Sequence, residues 1–270
     1  MPETKNLKSI AEIYKSDKIE HQYIKVYESY FEKIRDEKLK ILEIGIADGK
    51  SLLTWSDYFK NSVIVGIDIH KINIVEKKLN RNNIEVHQGS QSDQTFIQQI
   101  ISKYKEFDII IDDGSHLSKD VKKSFNLLFS TLKDDGLYII EDIQTSYNHF
   151  FGGNPFDLKY SNSHMNFFKH LTDSLNHQEV ANPFYIKKKY DGKITNISFY
   201  HNMVFVRKGI NDLKSKEVIN NSYEDMKYLE KSSRTGKKFQ YFVKYKVFYK
   251  VYTICLFVFN TIKKLLLLRI

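Results

Sequence analysis

Cysteine is all but missing: Cys255 is the single one in 270 residues. An intrachain disulfide is excluded, and a reducing cytoplasm is the compartment that fits such usage. No signal-like segment opens the chain, because Met1–Ile10 is polar and holds no apolar run of the needed length. Internal repeats are absent. The longest uncharged run near the C-terminus, Val251–Ile262, has twelve residues and is too short to span a bilayer. Acidic residues are missing from Lys231–Ile270, which carries ten Lys or Arg. The formal charge of +9 therefore belongs to the tail, and the first 230 residues carry about −1. A basic globule is excluded. Nucleic acid is not expected as a partner, since its binding wants basic residues spread over a folded face.

What is present is enough for a core. Hydrophobic residues make up 41% of the chain, with many Tyr and Phe, which is too apolar for disorder. The length suits one large domain with attachments. Five apolar runs alternate with helical spacing. They are Lys40–Ile44, Ser62–Asp68, Asn83–His87, Phe107–Asp113 and Leu137–Ile140, and between them Lys50–Phe59, Gln94–Tyr104 and Val121–Leu132 read as helices. Asp134-Asp135-Gly136 is expected to stop the last of these. This is the βαβ pattern of an α/β fold with a parallel sheet. Asn162–Val180 reads as one or two helices. Ile197–Arg207 reads as a late strand, with Phe184-Tyr185-Ile186 as its partner. The expected divisions are a helical cap (1–36), the Rossmann-like domain (37–210), a linker (211–236) and a tail (237–270).

Ligands of open α/β sheets sit beyond the carboxyl ends of the strands, and polar residues gather there. Glu43-Ile44-Gly45-Ile46-Ala47-Asp48-Gly49 is a strand running into a glycine turn. Such a turn can serve a dinucleotide or S-adenosylmethionine. Ala47 replaces the middle glycine of the dinucleotide pattern, and the Glu43 carboxylate would repel a pyrophosphate. An ammonium and a sulfonium suit it better. Asp68 ends the next strand, where an acid can accept both ribose hydroxyls. Gly45 would let the backbone approach the cofactor. Gln91 and Ser92 follow the third strand, at the place of adenine contacts, although small polar residues also form ordinary turns.

Asp112-Asp113-Gly114-Ser115-His116 and Glu141-Asp142 close two adjacent strands. Carboxylates converging in one cleft repel unless neutralised, and a hard divalent cation does that. Magnesium there would leave positions for substrate hydroxyls and would act as Lewis acid and template. His116, on the loop above, can take a hydroxyl proton. Helix capping is the plainer account of Asp113 and Asp142, and a surface loop is the plainer account of His116. Tyr147, Phe150 and Phe151 lie just beyond the acidic pair and can shape an acceptor pocket or simply pack a loop.

Leu42-Glu43-Ile44-Gly45, Ile111–His116 and Ile140–Tyr147 resemble the metal-dependent sugar O-methyltransferases of macrolide biosynthesis. Tyr14-Lys15-Ser16-Asp17-Lys18 with His21, Gln91-Ser92-Asp93, Gly152-Gly153 and Phe199-Tyr200-His201-Asn202 are further matches, and the resemblance covers roughly residues 10–210. It implies a class I methyltransferase fold with a mostly parallel seven-stranded sheet closed by a late hairpin. It also implies a cofactor site with Glu43, Asp68 and Asp112, a magnesium site from Asp113, Glu141 and Asp142, and His116 as general base. The acceptor would be a hydroxyl on a sugar-containing small molecule or glycan. A nucleotide-dependent oxidoreductase or hydroxylase-like enzyme and a non-catalytic scaffold are the rival classes. The basic, aromatic stretch from Phe239 to Ile270 has the pattern of an amphipathic helix lying in a membrane interface, at the inner face of the membrane. A helix packed on a partner subunit, as in a homo-oligomer, is the alternative.

Overall fold

The computed structural model describes residues 5–70, 81–180 and 184–212, with positions 254, 255, 258 and 261. The five apolar runs form strands β1 (Lys40–Ile44), β2 (Val63–Asp68), β3 (Ile84–Gln88), β4 (Phe107–Asp112) and β5 (Leu132–Ile140). They pair in parallel in the order β3-β2-β1-β4-β5. Strands β6 (Ile194–Tyr200) and β7 (Met203–Lys208) complete the sheet, with β7 antiparallel to both β5 and β6. Seven strands, mostly parallel, give the class I methyltransferase architecture expected above.

Side chains of a strand alternate between faces, and both faces of this sheet are covered. Ile41, Ile109, Ile111 and Ile139 face helices α1 (Leu7–Tyr14), α2 (Ile24–Phe31) and α3 (Lys50–Tyr58), where Tyr27, Phe31 and Trp55 are buried. Leu42, Ile44, Ile110 and Ile140 face the other way. They meet helices α4 (Gln94–Tyr104), α5 (Ser118–Leu128) and α6 (His164–Leu175), with Phe125 and Phe168 at the centre. A parallel sheet needs apolar cover on both faces, and the continuous apolar runs of β1 and β4 supply it. Asp93 caps α4 by accepting from the amides of Thr95 and Phe96 at 2.8 and 3.2 Å.

Three stretches differ from expectation. The single late strand over Ile197–Arg207 is a hairpin, and β6 and β7 turn at His201-Asn202. Asn202 takes φ 62, a left-handed conformation that asparagine tolerates better than most residues. Phe184-Tyr185-Ile186, expected as the partner strand, forms none, and Phe184 and Ile186 are exposed. Asp134-Asp135-Gly136 lies inside β5 and does not end a helix. Helix α5 already stops at Leu128, and a 3₁₀ turn (Phe129–Thr131) leads into the strand. The β4–β5 register passes from Phe107–Leu132 to Ile109–Leu137, so the polar triplet bulges out of the ladder.

Among the described residues, 5–70, 81–175 and 190–211 belong to one compact unit, and 176–180, 184–189 and Asp212 belong to a second. In the second, His177–Glu179 is a 3₁₀ turn, and Gln178 Nε2 donates to the Asp212 carbonyl at 3.1 Å. The expected linker and basic tail lie outside the described residues, apart from Asn211, Asp212 and four tail positions. Among the described residues no helix is long and apolar enough to cross a membrane.

The first glycine turn is tightly determined. Gly45 has φ +80, and a Cβ there would stand 2.1 Å from the carbonyl oxygen of Asp113. The neighbour is backbone, so the loops after β1 and β4 cannot both stay in place. Gly45→Ala is expected to cost about 3 kcal/mol or more in urea unfolding, from left-handed strain plus the clash. A loss under ~0.5 kcal/mol would contradict this close approach.

His164, at the start of α6, is fully buried. Its Nδ1 lies 2.9 Å from Ser118 Oγ and its Nε2 lies 3.4 Å from Thr145 Oγ1, so it ties α6 to the segments after β4 and β5. Burial drives its pKa down to about 3, and the His116 and Lys122 charges act in the same direction. The unfolded chain therefore takes up a proton first. Stability present above pH 6.5 falls as the pH drops from there toward 3, by at most ~1.4 kcal/mol per pH unit. Urea midpoints between pH 7.5 and 4.5 should lose this slope in His164→Gln; an unchanged slope would assign it to other groups.

Candidate active site

A cavity of about 630 Å³ opens at the carboxyl ends of β1, β2 and β4. Chain order reverses here, with β1 followed by β2 on one side and by β4 on the other, which is where α/β sheets hold ligands. Ile67–His70 and Gly89–Gln91 line one end, and the Gly45–Asp48 turn lines the middle. Asp113, His116 and Asp142 line the other end, together with Lys15 and Asp17 from the segment after α1. Four non-glycine residues of this lining, Lys15, Ala47, His116 and Asp142, have positive φ. Backbone strain of this kind gathers at functional sites.

Asp68 lines the cavity, and its Oδ2 accepts from the amides of Ile46 and Ala47 at 2.9 and 3.1 Å. It thus holds the glycine turn, and its other oxygen accepts from the His70 amide at 2.8 Å. Gln91 also lines the cavity. Its Oε1 accepts from the Ser115 amide at 2.7 Å and its Nε2 donates to Asp112 at 3.0 Å. Ser92 lies off the lining, where Ser90 stands instead, and donates its amide to Ser90 Oγ at 3.2 Å.

Strand alternation separates the acids. Asp112 follows Ile111 and turns to the α5 side, where it is buried and accepts from Ser124 at 2.5 Å and Tyr138 at 3.2 Å. Burial pushes its pKa up to about 6 against these hydrogen bonds and that of Gln91. It braces Gln91, and through it the Ser115 loop, and does not line the cavity. Glu43 and Glu141 sit on the opposite face with Asp113. Glu43 is buried beneath the cavity, and Ser51 Oγ donates to it at 2.8 Å.

Among the described residues the cation on that face is Lys18, a residue to which sequence reasoning assigned no role. Its side chain is 1% exposed. Its ammonium lies 2.7 Å from Glu141, 2.9 Å from Asp113 and 3.4 Å from Glu43. Desolvation works against that ammonium, but the Asp113, Glu141 and Glu43 charges overcome it and hold its pKa well above the ordinary value. Burial, then the Asp113 charge, pushes Glu141 upward in spite of Lys18. Tyr27 also donates to Glu141, and Tyr23 donates to Asp142 at 2.5 Å. Burial opposes the Asp142 charge, yet Tyr23, Gln144 and the two histidines His116 and His21 hold its pKa below the usual range. A polar N-terminal stretch gives hydropathy no sign of a buried lysine. The available signal is the shared parity of Glu43, Asp113 and Glu141, which demands a counter-charge.

His116 Nε2 stands 3.9 Å from Asp113 and 3.8 Å from Asp142. One ligand atom from each of these three residues lies within 4.8 Å of the others, so this donor set can hold a divalent ion. Glu141, also expected in that set, is engaged with Lys18 and Tyr27. The Phe151 ring lies 6.4 Å from the His116 ring. Tyr147 is half-exposed at the end of a 3₁₀ turn (Ile143–Tyr147), off the cavity lining.

Residues 42–143 match the family model described as a methyltransferase domain. The chain is 35% identical over 200 residues to mycinamicin VI 2''-O-methyltransferase of Micromonospora griseorubida, covering 71% of this chain and 49% of that protein. It is 34% identical over 199 residues to demethylmacrocin O-methyltransferase of Streptomyces fradiae, with the same coverages. The solved structure of MycE methyltransferase with Mg and SAH superposes with a TM-score of 0.75 at 30% identity, over 83% of this chain and 59% of that one. The chain thus spans about half the length of the curated relatives it matches. Its fold is that of a class I methyltransferase, residues 42–143 match a methyltransferase domain, and the chain resembles the mycinamicin-type sugar O-methyltransferases.

Proposed function

We propose that this protein is an S-adenosylmethionine-dependent O-methyltransferase acting on a sugar hydroxyl of a glycan or glycosylated metabolite. The observation that carries this reading is His116 Nε2 poised between Asp113 and Asp142 at one end of the cavity. The relatives named above support the chemistry, and the MycE structure with Mg, SAH and mycinamycin VI supports the acceptor class.

The cofactor would lie along the Gly45–Asp48 turn with its ribose toward Asp68 and its base toward Ser90 and Gln91. Asp113 and Asp142 would hold magnesium. The methyl donor supplies a carbon activated by its sulfonium, and magnesium supplies a positive charge that favours the alkoxide form of the acceptor. His116 takes the hydroxyl proton on Nε2 as the oxygen–carbon bond forms and the carbon–sulfur bond breaks. Asp113 and Asp142 orient the acceptor, which gives proximity its share of the rate. Glu43 supports the turn from below, and Phe151 with Tyr147 would flank the sugar. An oxidoreductase is disfavoured by Ala47 in the glycine turn and by Glu43 beneath it. A scaffold has no use for crowded carboxylates. The basic tail is proposed to place the enzyme on the inner face of a membrane, with packing on a second copy of the chain as the alternative.

Calorimetry with S-adenosylmethionine, with and without magnesium chloride, tests the cofactor reading; no binding in either condition would refute it. His116→Ala is expected to bind the cofactor as the parent does and to lose about 10²–10⁴-fold in methyl transfer to a glycoside panel. Undiminished turnover would remove His116 as the base.

A further inference from the structure

The segment beyond the cavity carries apolar side chains into water. Phe150, Phe156 and Leu158 are 77%, 96% and 64% exposed. Large apolar residues scattered singly over a surface need no account, but a group of them within one short loop does. None of the three lines the cavity, so they do not form its wall. Phe151, next to Phe150 in sequence, holds its ring 6.4 Å from the His116 ring. The exposed stretch therefore starts at the end of the cavity where His116 stands.

The backbone holds these side chains out. The Gly153 amide donates to the Asn148 carbonyl at 2.9 Å, and the Asn154 amide donates to that of Ser146 at 3.2 Å. A Cβ on Gly153 would stand 2.0 Å from the Ser146 carbonyl oxygen, so the chain folds back on itself there. Asn154 Oδ1 accepts from the amides of Phe156 and Asp157 at 2.9 and 3.2 Å, and Asp157 Oδ1 accepts from that of Lys159 at 2.9 Å. Two successive turns held by side chains thus present Phe156 and Leu158.

The surroundings are basic. Helix α5 lies against this loop: a Cβ on Gly152 would meet that of Ser118 at 3.5 Å, and Lys122 Nζ donates to the Asn162 carbonyl at 2.7 Å. Lys119 and Lys123 on the same helix are exposed, as is Lys159 in the loop. Of the two acids in these segments, Asp157 is engaged in the turn and Asp120 accepts from Ser115 Oγ at 3.0 Å.

We propose that segment 148–160 is a membrane-docking surface of the methyltransferase domain and fits a bilayer with anionic headgroups. Apolar side chains flanked by lysines bind such an interface by entering the acyl boundary while the ammonium groups meet the phosphates. A second copy of the chain fits less well, because a symmetric contact through this loop sets lysine against lysine. The acceptor that follows is a sugar attached to a lipid, presented beside the end of the cavity that holds His116. That consequence rests on the methyl-transfer reading above, whereas attachment to the bilayer does not.

The test uses the full chain carrying Phe156→Trp, with vesicles of phosphatidylcholine alone or mixed with phosphatidylglycerol. The single native tryptophan, Trp55, is buried and gives a constant background. With the mixed vesicles the new indole should emit at shorter wavelength and be quenched by lipids brominated in the acyl chain. Phosphatidylcholine alone should give less of both. Phe150→Ser, Phe156→Ser and Leu158→Ser combined should lower the vesicle partition coefficient by about tenfold or more, with the urea midpoint unchanged because all three side chains are exposed. A chain that sediments with vesicles while its indole stays unshifted and unquenched makes contact elsewhere and overturns the proposal. No sedimentation, or unchanged partition by the triple variant, overturns it too. A shift with soluble octyl glucoside but none with vesicles would make the loop part of the acceptor pocket, and a shift that rises with protein concentration alone would assign it to a second copy; either result sinks the proposal. These readouts need neither cofactor nor turnover. Their failure leaves the methyl-transfer reading standing, and a chain that binds no S-adenosylmethionine would lose the lipid-linked acceptor but keep the docking surface.

Discussion

Like charges brought together beneath a low-dielectric core must be balanced, and Lys18 is where this structure does it. The sheet delivers Glu43, Asp113 and Glu141 to one face through strand alternation. The price is a buried ammonium drawn from a segment far away in sequence, 95 residues from Asp113. The N-terminal segment is therefore more than cover for the sheet. Tyr23 and Tyr27 extend its role by donating to Asp142 and Glu141, so three side chains from residues 18–27 orient the acids at the ends of β4 and β5.

A second network works on the opposite face through neutral donors. Asp112 accepts from Gln91, Ser124 and Tyr138 in the core below α5. Gln91 passes that rigidity to the Ser115 amide, at the base of the loop that carries His116. A Cβ on Gly114 would stand 2.0 Å from Gln91 Oε1, so the loop rests directly on this amide. The neighbouring acids Asp112 and Asp113 thus divide into a brace and a pocket residue. Hydrogen bonds from neutral donors suffice for one buried carboxylate, while the crowd on the other face needs a charge.

Much of the architecture was legible in the amino acids because buried parallel strands are nearly uninterrupted apolar runs, as in Lys40–Ile44 and Phe107–Asp112. The exact span of Gln94–Tyr104 was legible because its capping Asp93 and apolar spacing coincide. A late hairpin was expected, but its turn was hidden within Ile197–Arg207, where apolar residues flank the left-handed Asn202 on both sides. Asp134-Asp135-Gly136 looked like a helix stop because turn residues have the same composition as a bulge. In the site, Asp113, His116, Asp142, Asp68 and Gln91 were brought together at one cavity. Asp112 was not, since proximity in sequence says nothing of face unless the alternation is followed residue by residue. Lys18 escaped because a lysine in a polar stretch is expected in water, and only three distant carboxylates reverse that expectation.

The long sequence separations across this site also order its assembly in time. Tyr23 and Asp142 lie 119 residues apart, and Tyr27 and Glu141 lie 114 apart. During synthesis the N-terminal segment emerges first and its partners only after β5 has left the ribosome. Contacts of this span are made late, since loop closure must be met before they return anything. The pocket is therefore among the last parts of the domain to become competent, and ligand binding by a nascent chain would report that the sheet is already built through its fifth strand.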